Sequence, residues 1–171
     1  MNSGFFATAE GVSVIEFNAR FGDPECMNIM SLFRGSWSET MASICAGSLS
    51  AADVPLRDEA SLVLYLVSPD YALRKGPPYD FSLDVPAIEA EGCHVFFSSA
   101  VALGEGLYRT VGTSRAVALA CTAPRLEQAR RIVTACAERV PVLEWRREVG
   151  DSGYLAGLAR QVAGRSAEAA P

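Results

Sequence analysis

The residues best suited to chemistry in this 171-residue chain stand near its N-terminus, between positions 14 and 25. The run reads VIEFNARFGDPE. It holds a carboxylate and an amide on alternate positions (Glu16 and Asn18), then a fixed cation (Arg20), then a glycine before an Asp-Pro pair. These residue types favour the binding of a hard cation and of an anionic ligand such as a phosphate.

Glu16 and Asn18 are expected to lie on one face of a β-strand, because alternate side chains of a strand point the same way. Their oxygens suit Mg²⁺ (or Mn²⁺), which keeps several waters and takes phosphate oxygens as further ligands. The pair therefore predicts a metal site that implies a nucleotide. The simpler alternative is that both side chains are merely solvated on an exposed strand.

Arg20 follows this pair and could reach the same phosphates, where its charge would stabilise phosphoryl transfer. Gly22 and the helix start at Asp23 and Pro24 would add backbone N–H groups that meet an anion. Simpler roles stay open here as well. Arg20 could be a surface ion-pair partner, and Asp23 could be an ordinary N-cap with Pro24 in the first helical position.

Composition limits the classes of function. Half of the residues are hydrophobic and 20% are charged, so a packed core is expected. The formal net charge of −5 argues against general nucleic-acid binding, which needs a basic face. Neither a signal-peptide pattern nor an apolar run of about 18 residues is seen, which predicts a cytoplasmic protein with no membrane partner. The five cysteines lack C-x-x-C spacing and are expected to be reduced, mostly buried thiols.

A hairpin over residues 4–18 and two helices are predicted to position the motif. The first helix would begin at Asp23 and Pro24, and the second has a capping box at Ser36 and a stop at Gly47. Helical spacing predicts that their buried stripes consist of Met27, Met30 and Phe33, and of Trp37, Met41, Ile44 and Cys45.

After residues 50–60, which show no clear period, the pattern becomes that of a sheet with one helix. Strands are predicted at 61–68, 93–100 and 115–121, with a further turn at 104–106. One helix begins at Leu126, and its predicted apolar face consists of Leu126, Ala129, Ile132, Val133, Cys136 and Val140.

The motif resembles the signature of the phosphoribosylamine–glycine ligases, also called glycinamide ribonucleotide synthetases, of the ATP-grasp superfamily. Other ATP-grasp enzymes share the Glu-x-Asn pair, whereas the RFGDPE continuation is specific to this family. Weaker resemblance reaches from residue 4 to residue 150, and its segments are 4–11, 71–76, 94–97, 112–118, 126–139 and 145–150.

The resemblance implies an α+β fold made from the C-terminal portion of such a ligase. Residues 1–49 would be the remnant of the ATP-grasp domain, and 50–60 the linker. Residues 61–150 would be a small β-rich C-terminal domain with one packed helix, and 151–171 a flexible tail.

The resemblance also implies an activity: ATP- and magnesium-dependent ligation of glycine to 5-phosphoribosylamine through a glycyl phosphate, in de novo purine biosynthesis. Glu16 and Asn18 would ligate the metal bound to ATP. Arg20 would be a catalytic residue that also contacts the ATP phosphates. The substrates would be bordered by Asp23, Pro24 and Glu25.

The chain departs from the family in several ways. The long N-terminal region that carries most nucleotide contacts is not part of it, so an N-terminal companion polypeptide or self-association is expected. This piece would be a split subunit, a truncated product or an isolated domain. Segment 67–71, Phe97 and segment 112–114 replace a Gly-Tyr-Pro, a histidine and a glycine pair that bear on fine substrate positioning. Two alternatives remain: a non-catalytic interaction or scaffold protein of this fold, and an ATP-grasp amide ligase of a specialised pathway.

Overall fold

The computed structural model describes residues 2–8 and 10–168, and these form three small antiparallel sheets and five α-helices. The predicted α+β class is confirmed. The strands are β1 (Asn2–Thr8), β2 (Gly11–Asn18), β3 (Ala60–Val67), β4 (Asp80–Ser82), β5 (Cys93–Phe97), β6 (Ala100–Gly104), β7 (Leu107–Thr110) and β8 (Arg115–Ala123). The helices are α1 (Glu25–Leu32), α2 (Trp37–Ala46), α3 (Val85–Ala90), α4 (Leu126–Ala137) and α5 (Ser152–Glu168).

The predicted hairpin is present as β1 and β2, which pair from Asn2 opposite Asn18 to Thr8 opposite Gly11. Gly11 closes the turn at φ 120°, a backbone conformation that glycine adopts readily. The hairpin packs little of its apolar surface on the rest of the chain, and its exposed large residues are Phe5, Phe6, Val12, Val14, Ile15 and Phe17. A two-stranded hairpin is marginal by itself in water, so these faces are suited to contact with further protein.

Helix α1 begins at Glu25, one residue later than predicted, since Pro24 was expected in the first helical position. Pro24 occupies the N-cap position and no side chain caps the helix, so the prediction of Asp23 as the cap is wrong. The Asp23 carboxylate instead accepts a hydrogen bond from Tyr65. The predicted stripe is also wrong at Met30, which is exposed, although Met27 packs on the sheet below.

Helix α2 has the predicted ends. The Ser36 hydroxyl accepts the Glu39 N–H at 3.4 Å, and Gly47 ends the helix in the left-handed region at φ 67°. Its predicted buried stripe is wrong, because Met41, Ile44 and Cys45 are exposed. Trp37 is half-buried against Phe33, with ring centroids 4.2 Å apart.

The core lies between helix α4 and the sheet with strand order β3-β8-β5. β8 is central and pairs antiparallel with both neighbours, and its residues from Ala116 to Cys121 are buried. The predicted face of α4 is confirmed, since Ala129, Val133 and Cys136 are fully buried there. A second helix, α3, inserts Ile88 into the same core, so the expectation of one packed helix is wrong.

The predicted strand 93–100 is split between two sheets. β5 ends at Phe97, and β6 begins at Ala100 in the sheet with order β4-β7-β6. The backbone crosses from one sheet to the other at Ser98 and Ser99, whose N–H groups donate to the carbonyls of Ala116 and Arg115. An apolar run does not record such a crossing, because both of its halves are extended.

Two of the five cysteines contradict the expectation of free thiols. Cys93 and Cys121 stand directly opposite each other on β5 and β8, with Cα atoms 4.4 Å apart, and form a disulfide. The other three are free: Cys136 is buried, Cys26 is partly buried and Cys45 is exposed.

Helix α5 occupies most of the segment predicted to be a flexible tail, of which residues 169–171 lie outside the described part. The Asp151 carboxylate accepts the Tyr154 N–H at 2.8 Å in its first turn. In residues 2–8 and 10–168, no helix combines the length and the apolar character needed to cross a membrane. The domain boundaries at residues 49 and 60 stay a prediction.

Candidate functional site

Glu16 and Asn18 lie side by side at the end of β2, as strand alternation predicts. The Asn18 amide Nδ2 donates to Glu16 Oε1 at 3.0 Å. Their partners on β1 are Gly4 and Asn2, and Glu16 is exposed while Asn18 is half-buried. Two side chains with hard oxygen donors thus lie close together at the end of β2.

All six residues that the sequence analysis singles out line one cavity of 330 Å³. The cavity lies between the end of β2 and the start of α1. Its walls are formed by Asn2, Glu16, Asn18, Arg20, Gly22, Asp23, Pro24, Glu25 and Arg115. The motif is therefore one site in space as well as one run of sequence.

Arg20 brings a cation to this cavity. One of its guanidinium nitrogens, Nη1, donates to the Phe21 carbonyl at 2.8 Å, which ties the side chain to the turn. A guanidinium carries five N–H donors, so a cation in this position can also serve an anion. The bond to the Phe21 carbonyl leaves most of these donors unused, and the phosphate role of Arg20 stays a prediction.

The turn between Phe21 and Glu25 is tightly packed around Gly22, which is buried. A Cβ at Gly22 would collide with the Glu25 carboxylate and would approach the Asn2 amide nitrogen at 3.0 Å. The Gly22 carbonyl accepts the Cys26 N–H at 2.9 Å, so the turn leads directly into α1. The Asp23–Pro24 peptide is cis.

Sequence reasoning missed Tyr65 and Arg115, which lie on strands β3 and β8 of the sheet and donate hydrogen bonds to Asp23. The Tyr65 hydroxyl donates to Asp23 Oδ1 at 2.7 Å, and Arg115 Nη1 donates to the Asp23 carbonyl at 3.0 Å. The guanidinium lies 3.4 Å from Asp23 Oδ2 and 5.0 Å from the Tyr65 ring centroid. The sequence signal that could have identified Tyr65 and Arg115 is that each places a polar group in a largely apolar strand, β3 or β8.

The protonation states of these two residues suit the contact. Burial and, after it, the hydrogen bond to the Asp23 carboxylate together raise the pKa of Tyr65 to about 12. A hydrogen bond with Tyr71 raises the pKa of Arg115 above its ordinary value. Tyr65 therefore stays a neutral donor, and Arg115 stays charged, at physiological pH.

A larger cavity of 560 Å³ adjoins the first and shares Pro24 and Arg115 with it. Aromatic and apolar side chains dominate its walls, which include Tyr65, Tyr71 and Trp145. The Arg147 guanidinium lies 3.8 Å from the Trp145 ring centroid. A volume in this range is typical of small-molecule sites.

The residues present fit a magnesium ion that is shared with a nucleotide. Among the described residues, no three His, Cys, Asp or Glu side chains are grouped to hold a metal by themselves. The Glu16 carboxylate and the Asn18 amide supply two oxygens, and Mg²⁺ typically combines such a small set with waters and phosphates.

Comparison with known proteins identifies the family, although no family model matches the chain. A phosphoribosylamine–glycine ligase of Methanoregula boonei is 34% identical over 152 residues, which are 88% of this chain and 34% of the relative. The enzyme of that name from Thermococcus kodakarensis is 33% identical over 89% of this chain and 34% of the relative. The chain belongs to the phosphoribosylamine–glycine ligase family.

This membership confirms the resemblance that the motif carries. A third member, from Methanocaldococcus jannaschii, is 35% identical over 131 residues, which are 75% of this chain and 28% of the relative. The chain thus spans 28–34% of the length of these curated ligases. That share agrees with the C-terminal portion predicted from the sequence.

The sequence analysis expects three departures from the family, at segment 67–71, Phe97 and segment 112–114. Segment 67–71, which replaces a Gly-Tyr-Pro, contributes Val67, Pro69 and Tyr71 to the larger cavity. Phe97, which replaces a histidine, stacks at 4.6 Å on Tyr108 in the neighbouring sheet, away from either cavity. Segment 112–114 contributes to neither cavity, so none of the three expected departures lies in the wall of the motif cavity.

Proposed function

We propose that this chain supplies one wall of the ATP site of a phosphoribosylamine–glycine ligase. The reaction is the ATP- and magnesium-dependent ligation of glycine to 5-phosphoribosylamine, in de novo purine biosynthesis. The observation that carries the proposal is the meeting of Glu16, Asn18 and Arg20 at one cavity. The names of the relatives support the reaction, and the two-oxygen donor set supports the metal.

The chemistry of this reaction has two steps. A glycine carboxylate oxygen attacks the γ-phosphorus of ATP while the bond to the β–γ bridging oxygen breaks, which gives glycyl phosphate and ADP. The amine of phosphoribosylamine then attacks the acyl carbon, phosphate leaves, and the nitrogen loses a proton to solvent or to a base. Both steps place negative charge on phosphate oxygens.

Residues of this chain are proposed to neutralise that charge. Glu16 and Asn18 would hold Mg²⁺ (or Mn²⁺), which neutralises phosphate charge when it is bound. Arg20 donates to phosphate oxygens and acts as the catalytic cation during transfer. The substrates would be bordered by the turn at Asp23, Pro24 and Glu25, which leads into α1.

The remaining walls of the site are proposed to come from the rest of a ligase-length protein, in the same polypeptide or in a separate N-terminal companion. The chain accounts for 34% of the M. boonei relative, and the faces of the β1–β2 hairpin are exposed and apolar. Exposed apolar faces of this kind mark sites of contact with protein. The substrates are small molecules, and the proposed compartment is the cytoplasm.

A turnover assay tests the function. Purified chain is mixed with ATP, Mg²⁺, glycine and phosphoribosylamine, alone and with the candidate companion, and ADP and amide product are measured. We expect product only with the companion and with glycine preferred over other amino acids. Preference for another amino acid or amine would favour an amide ligase of a specialised pathway. No turnover and no nucleotide binding in either mixture would favour a scaffold protein.

A further inference from the structure

The turn that leads from the motif into α1 is anchored to the three-stranded sheet at two levels. Below the turn, Met27 of α1 packs on a small cluster formed by Val63, Ala118 and Ala120. At the turn itself, the contacts to the sheet are those that Tyr65 and Arg115 make with Asp23. The packing of Met27 fixes the helix, whereas the polar contacts act on the backbone that precedes it.

Arg115 occupies a particular place in the sheet. It is the first residue of β8, and the β3–β8 register shifts next to it, between Leu66 and Val67. Its guanidinium contacts both the backbone carbonyl and the side-chain carboxylate of Asp23. Arg115 also lines the cavity that is lined by Glu16 and Asn18. A residue of the β-rich half thus forms part of the wall of the motif cavity.

We propose that Tyr65 and Arg115 are positioning residues for the ligase reaction. They fix the Phe21–Pro24 turn so that Arg20, three residues before Asp23, faces the cavity of Glu16 and Asn18. The two contacts are complementary, because the Tyr65 hydroxyl fixes one carboxylate oxygen while Arg115 fixes the peptide carbonyl of the same residue. The β-rich segment 61–150 then contributes to phosphate binding as well as to the hydrophobic core.

The expected sizes of the effects on folding stability and on catalytic rate distinguish this positioning role from simple stabilisation of the fold. The Arg115 and Asp23 side chains are 37% and 52% exposed, and exposed ion pairs contribute little to folding. Catalysis is far more sensitive, since a displacement of about 1 Å can cost about 100-fold in rate. Conservative variants should therefore change the site much more than the stability of the fold.

The test uses Tyr65→Phe, Arg115→Lys and a matched control, Arg109→Lys. Arg109 makes a two-bond ion pair with Asp80 at 2.5 and 2.8 Å, with similar exposure, on strands away from the cavity. Amide hydrogen exchange and the unfolding midpoint are measured on the chain itself. The kcat and the KM for ATP are measured in the complemented ligase, and this second readout alone rests on the proposed function.

We expect exchange of the Cys26 and Met27 amides, which bond to Gly22 and Pro24, to rise at least about five-fold in both variants. The unfolding midpoint of Arg115→Lys should move no further than that of Arg109→Lys. The kcat should fall at least about ten-fold in both variants and stay unchanged in the control.

Unchanged exchange at the two amides, or faster exchange with unchanged kcat in an active complex, overturns the positioning role. If the complemented native ligase shows no turnover, the proposed function fails separately. The exchange result then decides the inference alone: a rise in the two variants supports it, and native protection refutes it.

Discussion

At the scale of single residues, the site is a set of hard oxygens and arginines joined by short polar contacts. Glu16 and Asn18 contact each other, Arg20 bonds to its own turn, and Asp23 is held from the sheet. The proposed chemistry requires these separate roles for the metal ligands, the cation and the anchored turn. Metal ligands and a phosphate-binding cation must keep fixed relative positions while the substrates change charge.

The titration of Tyr65 tests its contact with Asp23 directly. Because burial and the neighbouring carboxylate both disfavour the phenolate, the pKa of Tyr65 is raised to about 12. The contact therefore contributes stability that is complete below the ordinary tyrosine pKa of about 10 and is lost as the pH rises through about 12. In Asp23→Asn, the pKa should fall but stay above 10, because burial remains.

Tyrosine absorbance or NMR measured against pH provides the readout. A Tyr65 pKa that does not respond to Asp23→Asn would contradict the hydrogen bond.

At the scale of elements, the chain divides into a part that buries its apolar faces and a part that does not. The β3-β8-β5 sheet and α4 enclose the core, whereas the hairpin and α2 leave large apolar residues exposed. The contrast predicts where substitutions affect folding and where they affect assembly.

Leu64→Ala and Phe6→Ala form a matched pair for this contrast. Leu64 is 2% exposed in the core, so its truncation should cost about 2–5 kcal/mol of unfolding free energy. Phe6 is 61% exposed, so its truncation should cost no more than about 1 kcal/mol. Chemical denaturation measures both. A comparable loss in Phe6→Ala would mean that the hairpin packs within this chain, contrary to the exposure seen.

Local signals predicted the elements whose ends are set by neighbouring residues. The hairpin, the N-cap at Ser36, the stop at Gly47 and the apolar face of α4 follow from spacing within a few positions. The candidate site was found for the same reason, since its ligands stand within one short run.

The missed features depend on contacts between distant residues. Arg115 is 92 positions from Asp23, and no periodicity links the two. The Cys93–Cys121 disulfide depends on the register of β5 against β8, and the crossing at Ser98 depends on which sheet each half joins. The apolar stripe of α2 was wrongly predicted to be buried. Helical spacing identifies an apolar face of a helix, but it does not show whether another part of the same chain covers that face.

At the scale of the whole molecule, the hairpin exposes apolar faces that we propose contact the remaining part of a ligase-length protein. Without that protein, the apolar faces should associate with each other. Sedimentation velocity over a range of concentrations should show growing association, reduced in Phe17→Ser but not in Val101→Ser. Both residues are exposed, at 62% and 47%, but only Phe17 belongs to the hairpin. A chain that stays monomeric throughout, or that responds equally to both variants, would contradict this surface.

The central claim is that Glu16 and Asn18 hold the metal of an ATP site, and one comparison tests it most directly. ADP formation is measured in the complemented ligase with Glu16→Ala and with Glu10→Ala, an exposed carboxylate on the same hairpin. The account predicts that Glu16→Ala lowers magnesium-dependent turnover by about 100-fold or more, with an unchanged fold by circular dichroism, while Glu10→Ala retains native turnover. Native turnover in Glu16→Ala would contradict the claim.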